Sequence, residues 1–204
     1  MSQSTKSSSV ASVAVQELVL DAAEEVVNSQ GVSRLTLDAV ARQAGLSKSG
    51  LLHHFPSKEA LVDAIVERTV GLWKSSLESA IRCQPPGSHP TVRGLLQCSL
   101  GDMADWNERL RRSSTALLAV LVHCPGKKTA MHEFYQGLLA AMQQECNGQP
   151  TGDLILAVID GTWLRWVTGL APLDEFQIVR IRELLHSLIQ QPCRPEIPAG
   201  QRLG

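Results

Sequence analysis

Residues Thr36–Leu61 read TLDAVARQAGLSKSGLLHHFPSKEAL, and three of them, Thr36, Ser47 and Ser57, are hydroxyl residues standing directly before a helix-compatible run. A serine or threonine there can accept a hydrogen bond from an otherwise unpaired amide of the first helical turn, so each is a candidate N-cap. Gly45 falls between the first two runs, where a chain leaving a helix needs a left-handed residue. The spacing predicts a short helix near 36–43, a tight turn through Ala44–Leu46 and a second short helix near 47–54. That pattern is a helix-turn-helix, whose second helix usually enters a DNA major groove.

Local charge supports the same reading. The chain is near neutral, with 19 Lys+Arg against 20 Asp+Glu, which argues against a nonspecific polycation. Between Arg34 and Lys58, however, Arg34, Arg42, Lys48 and Lys58 face only Asp38, while Glu17, Asp21, Glu24 and Glu25 sit on the preceding helix. A positive patch on a neutral protein suits a site-selective binder of moderate phosphate affinity.

Working outward, residues 1–14 are expected to form a flexible Ser-rich arm, and residues 15–60 the helix-turn-helix domain. The first helix carries Val15, Leu18, Val19, Ala22, Ala23, Val26 and Val27 at helical spacing and stops at Gly31. A long helix starts at Ser57, with Leu61, Ile65, Thr69, Leu72, Trp73, Leu77 and Ala80 on its apolar face, and ends before Pro85–Gly87. It is read as a rod joining a small head to a larger body over 61–190. Strand signals are scarce, so the body is expected to be helical, with helices near 91–108, 112–123, 127–145, 153–170 and 174–190. The Pro- and Gly-rich residues 191–204 are read as a disordered tail. The fold class is therefore all-α.

On the helix near 153–170, Ile155, Val158, Ile159, Thr162, Trp166 and Val167 form one apolar stripe, and Leu154, Ala157, Gly161 and Leu164 form another. Two apolar faces need two partners. A dimer interface is expected from Ile155, Val158, Gly161, Thr162, Trp166, Ile178, Ile181, Leu185 and Leu188, with a second copy completing a four-helix contact.

The stretch LTLDAVARQAGLSKSGLLHHFPSKEALVDAI, Leu35–Ile65, resembles the N-terminal domain of the tetracycline-repressor (TetR) family of bacterial transcription regulators. The similarity is specific over about residues 15–65; beyond it, only DGTWLRWVTGLAPLD, Asp160–Asp174, looks like a segment of some members. The resemblance implies a cytoplasmic homodimer that binds a palindromic double-stranded operator and represses nearby genes until a small molecule releases it. It places Thr36, Ser47, Lys48, Ser49, Gly50, His53, His54 and Lys58 at the DNA. Two positions depart from the family pattern: Leu52 stands where many members carry Tyr, and Asp38 stands where a base-reading residue is common. Base reading is accordingly expected to fall on Lys48 and the two histidines.

An effector pocket is expected among the body helices, lined by Trp73, Met103, Trp106, His123, Met131, Phe134, Tyr135 and Trp163. Enzymatic chemistry is not expected, because there is no HExxH, nucleophile elbow or glycine-rich phosphate loop. His123, Cys124 and His132 lack convincing metal-ligand spacing, and no cofactor or metal is anticipated. The alternative, a helical protein-interaction module or small-molecule binder without DNA function, leaves the capped basic segment unexplained. No apolar run is long enough to span a bilayer, so no membrane partner is expected. The five widely spaced cysteines are read as reduced, mostly buried thiols.

Overall fold

Thr36, Ser47 and Ser57 each turn a side-chain oxygen back onto the backbone: the amides of Ala39, Gly50 and Ala60 donate to them, each at 3.1 Å. These caps divide the first third of a computed structural model that describes residues 3–87, 89–101 and 108–190. The first helix, α1 (Gln3–Gln30), leads through Gly31 and a 3-10 turn at Val32–Arg34 into α2 (Leu37–Ala44) and α3 (Lys48–His54). The long helix is α4 (Lys58–Arg82); the body adds α5 (Pro90–Leu100), α6 (Glu108–His123), α7 (Thr129–Glu145), α8 (Thr151–Thr168) and α9 (Glu175–Gln190). Among the described residues there is no strand, and no helix is long and apolar enough to cross a membrane.

Gly45 closes α2 as its position requires. It is left-handed at φ 68°, and beyond it the Leu46 amide donates to the Ala41 carbonyl at 2.9 Å. This bond reverses the chain so that Leu51 of α3 reaches the head's core with Val19, Ala23, Val26, Leu35, Val40, Leu61 and Ile65.

That core does not close on the head alone. Ala116, Leu117 and Val120 of α6 belong to the same apolar cluster, so α6 packs against α1 and α4. A second cluster joins Leu96 and Leu100 of α5, Leu138 and Met142 of α7, Ile155 and Ile159 of α8, and Ile178 and Leu185 of α9. Phe134 of α7 packs against both. The α4 rod, 25 residues and about 37 Å long at the α-helical rise, therefore has body helices along its flank and serves both cores. Two polar contacts fix the second cluster. The Thr91 and Val92 amides at the start of α5 donate to the Glu145 carboxylate at 2.8 and 3.1 Å, and Arg182 of α9 donates to the carbonyls of Leu100 and Gly101 at 3.0 and 2.7 Å.

Several boundaries differ from expectation. From residue 3 onward the supposed flexible arm is helical backbone continuous with α1; no Gly or Pro occurs before Gly31 to interrupt the hydrogen-bond ladder. The helix expected over 91–108 ends at Leu100, where Arg182 takes the terminal carbonyls; residues 102–107 lie outside the described residues, and the helix expected from 112 already includes Glu108. The expectation for the tail at 191–204 lies outside the described residues. Of the cysteines, Cys146 is buried, Cys98 and Cys124 are half-buried, and Cys83 is exposed. The described thiols are therefore less buried than expected, and Cys193 lies outside the described residues.

Gly45→Ala should destabilise the protein by about 1–2 kcal/mol in chemical denaturation. An added Cβ meets nothing within 4 Å, so the whole cost is left-handed backbone strain, and Gly45→Asn should recover part of it.

Candidate nucleic-acid interface and body cavity

The outer surface of α2 and α3 brings the proposed DNA contacts together. Thr36, Ser47, Lys48, Ser49, Gly50 and His53 are exposed, and His54 is half-buried with its ring centroid 5.3 Å from that of His53. Gly50 has a local role as well, since a Cβ there would sit 3.2 Å from the capping Ser47 Oγ. The ammonium of Lys48 donates to Asp38 Oδ2 at 3.0 Å, with both side chains more than half exposed. The acid at the unusual position thus partners the lysine expected to read bases. Lys58 is half-buried, and its ammonium donates to the Val32 carbonyl at 3.4 Å, tying α4 to the 3-10 turn.

A cavity of about 920 Å³ opens between α4, α5, α6, α7 and α8. It takes in Trp73, Phe134, Tyr135 and Trp163 from the expected pocket. Met131 instead lines a separate shallow depression beside His132. His123 is exposed, lines neither, and its ring nitrogen bonds the Ala119 carbonyl at 2.9 Å. Met103 and Trp106 lie outside the described residues. Sequence reasoning missed Asp160 and Trp166 as lining residues; a lone acid within an otherwise apolar stretch was the available signal for the first. The Tyr135 hydroxyl donates to Asp160 Oδ1 at 2.7 Å. Burial pushes the Asp160 carboxyl above its ordinary pKa against the pull of that hydrogen bond, and burial followed by Asp160 pushes the Tyr135 hydroxyl up.

Residues 19–65 match the family described as "Bacterial regulatory proteins, tetR family", and residues 90–190 match "Tetracyclin repressor-like, C-terminal domain". The chain belongs to the TetR family. It is a DNA-binding transcriptional regulator with a helix-turn-helix head and a helical C-terminal domain. Among its relatives is the HTH-type transcriptional regulator BetI of Escherichia coli O157:H7, 24% identical over 190 residues, covering 88% of this chain and 92% of BetI. Similar solved structures include the multidrug binding protein EbrR complexed with malachite green (22% identity, TM-score 0.64, 85% of this chain and 96% of that one). A TetR family regulator from Thermus thermophilus, PfmR, also shares the fold (17% identity, TM-score 0.57, 86% and 99%).

Within this TetR-family fold, part of the expected interface turns inward. Ile155, Thr162, Ile178 and Leu185 are buried inside a single protomer, while Val158, Trp166, Ile181 and Leu188 are half-buried. The outward face carries Leu154, Ala157, Gly161 and Leu164 of α8, with Phe176 and Leu184 of α9. Periodicity reveals two faces but not which one the chain's own α5 and α7 will cover. Gly161, the one expected interface residue that is fully outward, has open space where a Cβ would stand.

Head and body are joined by a cluster of charge around Arg68. Its guanidinium bonds Asp21 Oδ1 at 2.8 Å and Glu17 Oε2 at 3.2 Å on α1, and pairs with the buried Glu24. Glu24 also accepts from Ser113 Oγ of α6 at 2.6 Å. Burial works against the Arg68 charge, but Glu24 and Asp21 outweigh it and hold its pKa above the ordinary arginine value. Nearby, Arg112 of α6 pairs with Glu25, and the Asn28 side-chain amide donates to the Arg112 carbonyl at 2.9 Å.

Arg68→Met should cost about 3 kcal/mol in denaturant unfolding, because it strands Glu24 as an uncompensated buried acid. Pairing it with Glu24→Met should recover much of that loss. A single-variant loss under about 1 kcal/mol would show that the cluster is solvated rather than structural.

Proposed function

We propose that the protein is a ligand-responsive repressor whose two copies grip a palindromic operator. The observation that carries this reading is the position of Arg68: it lines the cavity, and it is also the group that ties α4 to the α1 of the DNA-reading head. A molecule entering the cavity displaces the Arg68–Glu17 side of that cluster, and α1 and α4 then move relative to one another. Since the head hangs from both helices, the separation of two recognition helices changes with them. Successive major grooves on one face of the duplex lie about 34–36 Å apart, so a small pivot is enough to misplace one of the pair.

In this reading α3 is the recognition helix. Lys48 and His53 face base edges, Thr36, Ser47 and Ser49 hold phosphates through hydroxyls, and Gly50 lets the backbone approach. His54 flanks the contact, and Lys58 reaches a phosphate from the start of α4. Dimerisation uses the outward face of Leu154, Ala157, Gly161, Leu164, Phe176 and Leu184, in place of the buried stripe. EbrR, solved with malachite green in complex, has a similar fold that accommodates a small molecule, which supports assigning an effector to the cavity.

Gel-shift titration with the DNA upstream of the protein's own gene tests the repressor reading. Lys48→Ala should weaken operator binding about tenfold or more, in line with a base-edge contact of about 1–3 kcal/mol; unchanged affinity removes Lys48 from the interface. Leu184→Arg should shift the protein from dimer to monomer in analytical ultracentrifugation and abolish tight operator binding. A variant that remains dimeric would move the interface elsewhere.

A further inference from the structure

The cavity holds a negative pole inside an aromatic wall. Trp73 and Trp163 meet at 87° with ring centroids 5.7 Å apart, so their rings stand like two walls of a box. Phe134 continues the wall 6.3 Å from Trp73, and Tyr135 follows 5.9 Å from Phe134. Two polar handles of this wall are already engaged: the Trp163 indole N–H donates to Ser114 Oγ at 3.3 Å, and the Tyr135 hydroxyl donates to Asp160.

Asp160 sits one helical turn before Trp163 on α8 and lines the same space. Among the described residues no Lys, Arg or His forms an ion pair with it, and Tyr135 supplies its hydrogen bond through one oxygen only. Among the described residues, the two cations that reach the cavity lie beside acids of α1. Arg68 is engaged by Glu17, Asp21 and Glu24, and Arg109 lies 4.0 Å from Asp21. An ionised carboxylate half-buried among rings is costly unless a positive charge joins it. Aromatic faces are themselves attractive to cations and unfavourable to anions.

We infer that this cavity binds an apolar organic cation, its charged head held between Asp160 and the rings of Trp73 and Trp163. An anion would meet both the carboxylate and the negative ring faces. A neutral ligand would leave the carboxylate without a counter-charge. The volume suits a drug-sized molecule, so the apolar body of the cation extends toward Leu138 and Leu156, which line the same space. The assignment rests on the reading of the body as an effector-binding compartment.

The experiment is isothermal titration calorimetry of the full chain with two probes of matched shape, meta-hydroxyphenyltrimethylammonium and its uncharged isostere meta-tert-butylphenol. The wild type should bind the cation about tenfold or more tighter than the isostere. Asp160→Asn should erase that preference, whereas Tyr135→Phe, which leaves the carboxylate in place, should retain it. Trp73→Leu should weaken the cation more than the isostere, and it serves as the deciding variant if Asp160→Asn fails to fold. Equal binding of the two probes by the wild type, a preference that survives Asp160→Asn, or no binding of the cation at millimolar concentration each overturns the assignment. A parallel gel-shift separates this from the repressor reading. Cation binding in the calorimeter that leaves DNA affinity unchanged sustains the pocket assignment and defeats release by this cation, while operator binding by a protein that shows no calorimetric binding of the cation sustains the DNA-binding reading and overturns the pocket assignment.

Discussion

A guanidinium removed from water must be neutralised where it lies, and in this protein that requirement falls on Arg68 at the crossing of α1, α4 and α6. Glu17, Asp21 and Glu24 occupy one face of α1 at intervals of four and three residues, so all three carboxylates can converge on a single cation only if α4 passes along that face. Ser113 then brings α6 to the same point through Glu24. With α1 held in this way, α2 and α3 have a fixed surface to pack on, and the orientation of the DNA-reading head follows from an ion cluster where its first helix meets α4 and α6. The apolar contacts of Val19, Val26, Leu61 and Ile65 supply the burial, while the charges set the direction of approach.

This cluster also explains why head and body share a core. A head of one supporting helix and two short ones offers little surface to bury by itself. By adding Ala116, Leu117 and Val120 from α6, the protein completes the head's interior with a body helix. The body's second core, reached through Phe134, is then only one side chain removed from the first.

What the sequence made legible was what is decided locally. The hydroxyl caps at Thr36, Ser47 and Ser57 and the left-handed Gly45 depend on a few adjacent residues, and each stands where the spacing places it. The aromatic lining of the cavity was half legible, because Trp73, Phe134, Tyr135 and Trp163 are large apolar side chains at helical spacing that must point inward somewhere. Asp160 was not assigned to the effector pocket because a single acid in an apolar stretch has no local pattern, and its meaning comes from Tyr135, 25 residues away. The acids of α1 were read as a charge balance, since nothing in their spacing names the arginine 44 to 51 residues later that they serve. For the same reason α8 could be seen to have two apolar faces, while which face turns inward depends on α5, α7 and α9. The start of α1 went astray differently: serine content suggested a flexible arm, but without Gly or Pro nothing stopped the helix.

The bond between Lys48 and Asp38 bears on how the head meets a polyanion. A lysine that approaches DNA already paired has fewer bound anions of its own to shed, and the carboxylate beside it opposes the release of cations condensed on the duplex. The ionic-strength dependence of binding should then be shallower than the number of basic residues on the face implies. Much of the discrimination is left to shape and hydrogen bonding, terms that salt screens weakly.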